Sequence, residues 1–363
     1  MRIALTHAFC WPEVRRGAER FTQELGGALV RRGHEVVNFS AAWEPQADAE
    51  DLVATVRLRR RLEDGYRHEA DFGRRLLPQL LRQRFDAVHS LGRHDAVASI
   101  RAARWRRDGR RTVITDLGIP DRRWWRQQGW RQARAASLVV REIDVYSAMS
   151  WTAVEGLKAS YCRADGVVVP GGVRLDAFHP AERREPQPTI LFSGAIDERR
   201  KGVPVLLAAL ALIAAREPDV SLWLSGPGDP EPFLAAAPAG VRERVHHLGL
   251  GEAGEQHRRY GRAWITCLPS THDSFGMALV ESLACGTPLV TTTNGAPQEL
   301  VHPGLTGELC PPEDSRGLAD ACLRAFALSR SASTVAACRA SAEGFDWDRA
   351  LAPLCERLYR HGR

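Results

Sequence analysis

Short apolar runs alternate with longer amphipathic stretches along the whole chain. In the first half the short runs are RIALTHAF (2–9), HEVVNFS (34–40), DAVHSL (86–91), RTVITDL (111–117), DVYSAM (144–149) and GVVVP (166–170), with helix-period stretches between them such as 17–32 and 72–82. Runs this short and this continuously apolar suit strands buried on both faces, and their alternation with helices predicts a parallel sheet. The rhythm breaks at HPAERREPQP (179–188), whose Pro and charge content suits a linker, and then restarts. The second series is TILFSGA (189–195), SLWLSG (221–226), RVHHLG (244–249), AWITCLP (263–269) and PLVTTT (288–293), with helices expected at 203–215, 275–285 and 315–328. The pattern therefore predicts two α/β domains, 1–180 and 189–347. Ligands of such sheets bind beyond the carboxyl ends of the strands, so the expected site is a cleft between the two.

Composition narrows the class. With 363 residues, 44% hydrophobic and 26% charged, the chain has the make-up of a soluble globular protein large enough for two cores. No apolar segment reaches the roughly 18 to 20 residues of a membrane span. The start, MRIALTHAFC, reads as a first strand and not as a signal peptide. The eight cysteines lack any C-x-x-C pair and suit reduced, buried thiols, so the expectation is a cytoplasmic protein.

The net charge of +6 is uneven: residues 1–180 hold 31 Lys and Arg against 22 Asp and Glu, whereas 181–363 hold 19 against 22. The basic clusters are RLRRR (57–61), RWRRDGRR (104–111) and DRRWWRQQGWRQAR (121–134). A solvated Arg-rich face is the plain reading, and no nucleic-acid partner is expected. Trp interleaved with Arg in the third cluster also suits peripheral contact with an anionic membrane.

Four strand-end loops carry candidate chemistry. In WPEVRRGAERF (11–21), Gly17 opens a helix whose N–H groups can approach an anion. FSGAIDERRKG (192–202) holds Lys201, one of only two lysines beside Lys158, just before an apolar helix. In PSTHDSFGMALVESLACGTPLV (269–290), Asp273 precedes a helix opened by Phe275-Gly276, and Glu281 follows eight positions later. Exposed N–H groups at that helix start suit phosphate oxygens, and the two acids suit sugar and ribose hydroxyls. NGAPQELV (294–301) adds a turn glycine and Glu299. Two other patterns are set aside. DWD (346–348) precedes a terminal helix and reads as a cap. His246 and His247 are adjacent on a strand and point to opposite faces.

Together these loops resemble glycosyltransferase family 4, which has the GT-B fold: two Rossmann-like, doubly wound domains facing a cleft. The resemblance rests on RRGHEV (31–36), FDAVHS (85–90), VVVPGGVRLDAFHP (167–180), LSGPGD (224–229), DSFGMALVESLACGTPLV (273–290) and FDWDRALAPLCERLYR (345–360), in family order. It implies that Lys201 binds the donor diphosphate, Glu281 the nucleotide ribose and Asp273 the transferred sugar. The amides around Phe275, Gly276 and Met277 would face the donor, with Gly17 near the pyrophosphate. It also implies that a terminal helix, 348–363, packs back on the first domain. Four positions depart from the family pattern. Ala195 stands where an arginine partners the lysine, leaving Arg200 or Arg199 as replacements; Asp273 replaces a glutamate; Thr115-Asp116 replaces His-Asp near the reacting centre; and Arg16-Gly17 replaces Gly-Gly.

The resemblance thus implies a retaining, metal-independent transferase that needs no cofactor besides its nucleotide-diphosphate sugar. Asp273, Lys201, Thr115 and Asp116 would be its catalytic residues. A hexose would pass to a small molecule held by the N-terminal domain. A lipid acceptor, approached with Trp124, Trp125 and Trp130 in a membrane surface, is the alternative. A catalytically weakened sugar-nucleotide-binding protein is the other.

Overall fold

The computed structural model describes residues 1–14, 17–44, 53–251 and 254–360. The chain divides into two compact units, Met1–Gly172 with Trp347–Arg363, and Val173–Asp346. The division falls before the Pro-rich segment, so residues 173–188, expected to end one domain and link to the next, belong to the second unit. Two arginines account for this. Arg184 donates to the carbonyls of Ala263 and Gly286 and to Thr287 Oγ1, and Arg339 donates to the carbonyls of Leu175 and Phe178. Buried carbonyls demand such donors, and the guanidinium fork supplies several at once.

In the first unit the strands are β1 (Arg2–Thr6), β2 (Glu35–Ala42), β3 (Ala54–Arg59), β4 (Ala87–Ser90), β5 (Arg111–Asp116), β6 (Val145–Ala148) and β7 (Val167–Val168). They form a parallel sheet in the order β3-β2-β1-β4-β5-β6-β7. β3 is not evident in the sequence, because it lies within and before the RLRRR cluster. It is an edge strand, where charged side chains block further pairing. Arg60, just beyond it, lies 5.3 Å from the Phe9 ring centre and 4.8 Å from that of Trp43. The helix expected from Phe72 begins at Gly65, because Asp64 caps it by accepting from the Arg67 N–H at 2.8 Å. In the second basic cluster Arg106 and Arg110 grip Asp108 and donate to the carbonyls of Leu81 and Leu80. Much of that charge is structural.

The terminal segment closes this unit. Trp347 is buried edge-on against Phe21, with ring centres 5.1 Å apart, and a Cβ on Gly172 would lie 2.4 Å from its indole. The helix Ala352–Tyr359 carries Glu356, which binds Arg32 at 2.5 Å and His34 Nε2 at 2.8 Å. Hydrogen bonding to Arg32 outweighs burial and, with His34, holds the Glu356 carboxyl at about 2. The acids of DWD make tertiary ties: Asp348 pairs with Arg31 at 2.9 Å, and Asp346 accepts from the Leu175 N–H. Residues 361–363 of the expected terminal helix lie outside the described residues.

The second unit contains β8 (Thr189–Ser193), β9 (Ser221–Ser225), β10 (Val245–Gly249), β11 (Ile265–Leu268), β12 (Leu289–Thr292) and β13 (Gly307–Cys310), parallel and in the order β10-β9-β8-β11-β12-β13. β13 is also absent from the sequence reading; it is short and begins at a glycine whose Cβ would meet the Leu289 carbonyl at 2.2 Å. The helix Val203–Ala214 buries Val203, Leu206, Leu207, Leu210 and Ile213. Each such side chain contributes about 1.5–3 kcal/mol.

Both sheets wind outward from a central pair, β1 with β4 and β8 with β11. At that reversal the connections leave in opposite directions and open a crevice at the strands' carboxyl ends. Among the described residues no helix is long and apolar enough to cross a membrane. All eight cysteines are free thiols, and only Cys162 is exposed.

Candidate active site

In the second unit the reversal point gathers residues far apart in sequence. β8 ends at Ser193 and its loop leads to a single 3₁₀ turn, Arg199–Lys201; the neighbouring β11 ends at Leu268 and its loop leads to Asp273. Because β8 and β11 pair directly, the two loops meet, and the Thr271 N–H donates to the Arg200 carbonyl at 2.9 Å. Lys201 Nζ then lies 2.6 Å from Asp273 Oδ2, and Arg200 Nη1 lies 3.2 Å from Asp273 Oδ1. Ser270 Oγ, which the sequence did not single out, donates to Oδ2 at 3.2 Å. Burial pushes the Asp273 carboxyl up, but the Lys201 and Arg200 cations more than offset this and hold it below the usual carboxylate range.

The sequence left open which arginine stands in for the one missing at Ala195. Arg200 turns to Asp273 and also pairs with Glu198 at 2.6 Å, whereas Arg199 lines a groove of about 460 Å³ with Pro204, Leu207 and Phe233.

Glycines make this geometry possible. Gly202 ends the turn at φ +76°, and a Cβ there would lie 2.2 Å from the Pro269 carbonyl. Gly226, at the end of β9, has φ +140° and would place a Cβ 2.0 Å from the Gly194 carbonyl. Only glycine accommodates both the conformation and the approach. Asp273 is braced from behind as well, since its carbonyl accepts from the Ala296 N–H at 3.1 Å.

The helix expected to carry the second acid is Met277–Ala284, entered through Gly276 at φ +98°. Glu281 is buried on it. Phe275 is buried too, its ring 5.8 Å from that of Phe345, so this residue contributes packing and a backbone amide.

In the first unit the reversal point is filled with side chains. Thr6 Oγ1 donates to Asp95 Oδ2 at 2.8 Å, and burial raises the Asp95 carboxyl to about 7. His7 Nε2 lies 3.0 Å from Glu19. Burial lowers the His7 pKa, but the Glu19 carboxylate and its neighbours raise it overall. Gly17 opens the helix Gly17–Arg31 as expected, while Arg15 and Arg16 lie outside the described residues.

Thr115 and Asp116, expected near the reacting centre, are buried in a network. Thr115 Oγ1 meets His89 Nε2 at 2.7 Å and Ser147 Oγ at 2.8 Å, and the other His89 nitrogen meets the Tyr359 hydroxyl at 2.8 Å. Burial lowers the His89 pKa to about 3. Asp116 binds Arg93 at 2.9 Å, the Tyr146 hydroxyl at 2.5 Å and the Gly118 N–H at 3.0 Å. Sequence reasoning missed Arg93, whose position one residue into the helix after β4 was its one signal; its guanidinium stacks 3.5 Å from the centre of the Trp125 ring. Trp125 is accordingly buried, which removes it from the proposed membrane face. Trp124 and Trp130 remain exposed, at 42% and 69%.

Among the described residues no three His, Cys, Asp or Glu side chains are grouped to hold a metal ion.

The comparisons follow these two units. Residues 15–177 match the model described as Glycosyltransferase Family 4, and residues 187–327 match that of Glycosyl transferases group 1. A phosphatidyl-myo-inositol mannosyltransferase of Mycobacterium leprae is 36% identical over 163 residues, 44% of this chain and 43% of that protein. A D-inositol 3-phosphate glycosyltransferase of an Arthrobacter species is 31% identical over 208 residues, 53% of this chain and 49% of that protein. The chain thus spans about half the length of these relatives. Among solved structures, sucrose-phosphate synthase from Thermosynechococcus elongatus superposes with a TM-score of 0.84 at 22% identity, over 99% of this chain and 98% of that one. Anabaena HepE in complex with UDP and glucose gives 0.78 at 18% identity, over 99% and 100%. With one family model on each unit and both sheets in the expected winding, the chain belongs to glycosyltransferase family 4 and has the GT-B fold.

Proposed function

We propose that the protein is a retaining glycosyltransferase that moves a hexose-type sugar from a nucleotide-diphosphate sugar to a polyhydroxylated small-molecule acceptor. The observation that carries this reading is the meeting of Lys201, Arg200 and Asp273 at the reversal point of the second sheet. In this assignment Lys201 and Arg200 bind the diphosphate, with the amides of Gly276 and Met277 beside it. Asp273 holds hydroxyls of the transferred sugar and Glu281 those of the ribose. Bond cleavage places charge on the leaving diphosphate, and fixed cations aimed there lower the barrier without need of a metal.

For the acceptor, relatives named for phosphatidyl-myo-inositol and for D-inositol 3-phosphate support a cyclitol class. The acceptor is assigned to the first unit, where Arg93 and the buried polar network shape the strand ends. Thr115 and Asp116 serve there as supports for that surface, with no free lone pair required of them in the reaction. A second reading, a lipid-borne cyclitol, is favoured by exposed Trp124 and Trp130 beside exposed Arg122, Arg123, Arg126 and Arg131.

The test starts with thermal shift against UDP-, GDP-, ADP- and dTDP-sugars, since a bound donor raises Tm by mass action. The stabilising donor is then incubated with inositol phosphate and with phosphatidylinositol vesicles. Transfer with retained anomeric configuration is expected. Failure of all four donors to stabilise the protein overturns the donor assignment. Donor binding without transfer to any acceptor leaves a sugar-nucleotide-binding protein.

A further inference from the structure

Resting on the donor roles just assigned, we infer that Asp273 also serves as the site's built-in anion. It neutralises Lys201 and Arg200 until a donor displaces it, and it thereby makes the site prefer the nucleotide sugar over the spent nucleoside diphosphate.

The geometry leads there directly. Both oxygens of a carboxylate only 9% exposed are committed, Oδ2 to Lys201 at 2.6 Å and Ser270 at 3.2 Å, Oδ1 to Arg200 at 3.2 Å. The cations meant for phosphate are thus already occupied. A diphosphate brings more charge than one carboxylate and competes successfully for the same two cations. Its arrival leaves Asp273 buried beside new negative charge with the Ser270 hydroxyl in place of two cations, a costly state for a buried ion. Asp273 has no means of escape: its side chain is short, and its carbonyl is held by the Ala296 N–H.

Sugar hydroxyls resolve the conflict, because they donate to the freed carboxylate where the diphosphate alone offers it nothing. The intact donor therefore satisfies the whole site. After transfer the hydroxyl donors depart with the sugar. Asp273 then regains its charged partners only by recapturing Lys201 and Arg200, which drives the diphosphate out. Product release is built into the same carboxylate that selects the donor.

Calorimetric titration of the wild type and Asp273→Asn with each nucleoside diphosphate and its matching sugar ester tests this. The amide keeps the shape and removes the competing charge. The variant is expected to bind the diphosphate at least tenfold more tightly, and its preference for the sugar ester over the diphosphate is expected to fall at least tenfold. A variant that binds the diphosphate no more tightly than wild type overturns the inference while leaving the donor assignment standing. A wild type that binds none of the four diphosphates overturns both.

If the variant does not fold, the wild type supplies the answer through its two lysines. In a lysine-labelled NMR spectrum, the Lys201 side-chain signal is expected to shift as diphosphate saturates, with Lys158, whose side chain is 60% exposed, unmoved. A Lys201 signal unchanged at saturation shows that no exchange of partners occurs, and the inference fails.

Discussion

The two sheets are wound alike, yet their carboxyl ends are furnished differently. In the second unit the strand ends are glycine turns pressed backbone to backbone, with cations mounted on one short turn. In the first unit the same positions are filled by interlocked side chains: Thr6 with Asp95, His89 with Thr115 and Tyr359, Asp116 with Arg93 and Tyr146. Bare backbone and fixed positive charge suit a ligand recognised by its phosphates. A mosaic of side chains suits one recognised by its particular shape. The contrast teaches that the donor assignment rests on geometry and the acceptor assignment on residue identity.

The largest test of this contrast is Lys201→Ala. It is expected to lower the transfer rate by about 10²–10³-fold, the scale of losing one charge-stabilising group, and to abolish nucleotide binding in calorimetry. Arg93→Ala is the counterpart in the first unit. It is expected to reduce transfer while leaving donor affinity within about twofold, because Arg93 serves Asp116 and Trp125. Equal loss of donor affinity in both variants breaks the division of labour.

Next in size are the backbone contacts. Gly226→Ala requires its Cβ to sit 2.0 Å from the Gly194 carbonyl at φ +140°. A loss of about 1–3 kcal/mol, the cost of a strained backbone position, is expected in chemical denaturation, with donor affinity falling alongside.

Glu356→Gln probes the side-chain style of the first unit and is expected to cost about 2 kcal/mol at neutral pH, below the roughly 3–5 kcal/mol of a fully buried broken pair because Arg32 is partly exposed. The sign of its pH dependence follows from the folded value near 2 against an ordinary 4.5. The depressed carboxyl stabilises the fold fully above its unfolded pKa. That contribution fades as pH falls from about 5 toward 2, so the two proteins converge in stability at acid pH. A gap that stays constant with pH sharpens the account by assigning the loss to packing. Smallest is the surface effect. Trp124→Ser with Trp130→Ser is expected to weaken sedimentation with anionic vesicles a few-fold and to leave transfer to a soluble acceptor unchanged.

The strand-end loops of the proposed donor site were legible because few residue types mark them. A lone lysine before an apolar helix and an acid before a glycine-opened one each announce a strand-end loop. The adjacency of β8 and β11, which brings Lys201 to Asp273, follows from the winding order. Direction was not legible: nothing in Arg199-Arg200 says which side chain turns inward, since a 3₁₀ turn decides it. β3 hid inside an arginine cluster because an edge strand need not look apolar. Trp125 looked like Trp124 and Trp130 until Arg93, from another helix, covered it. The first unit's network joins residues as distant as His89 and Tyr359, and side-chain mosaics of that kind leave no periodic trace.

The point where the chain passes between units has a practical consequence. The Val173 N–H donates to the Phe345 carbonyl at 2.8 Å, while Gly172 abuts Trp347. Topologically, the second unit is therefore a cassette spliced into the first through neighbouring ends. It should be excisable as 173–346, and a few residues joining Gly172 to Trp347 should reseal the host. A cut at 189, where the sequence invites one, would strip Arg184 from the carbonyls it serves and spoil the graft.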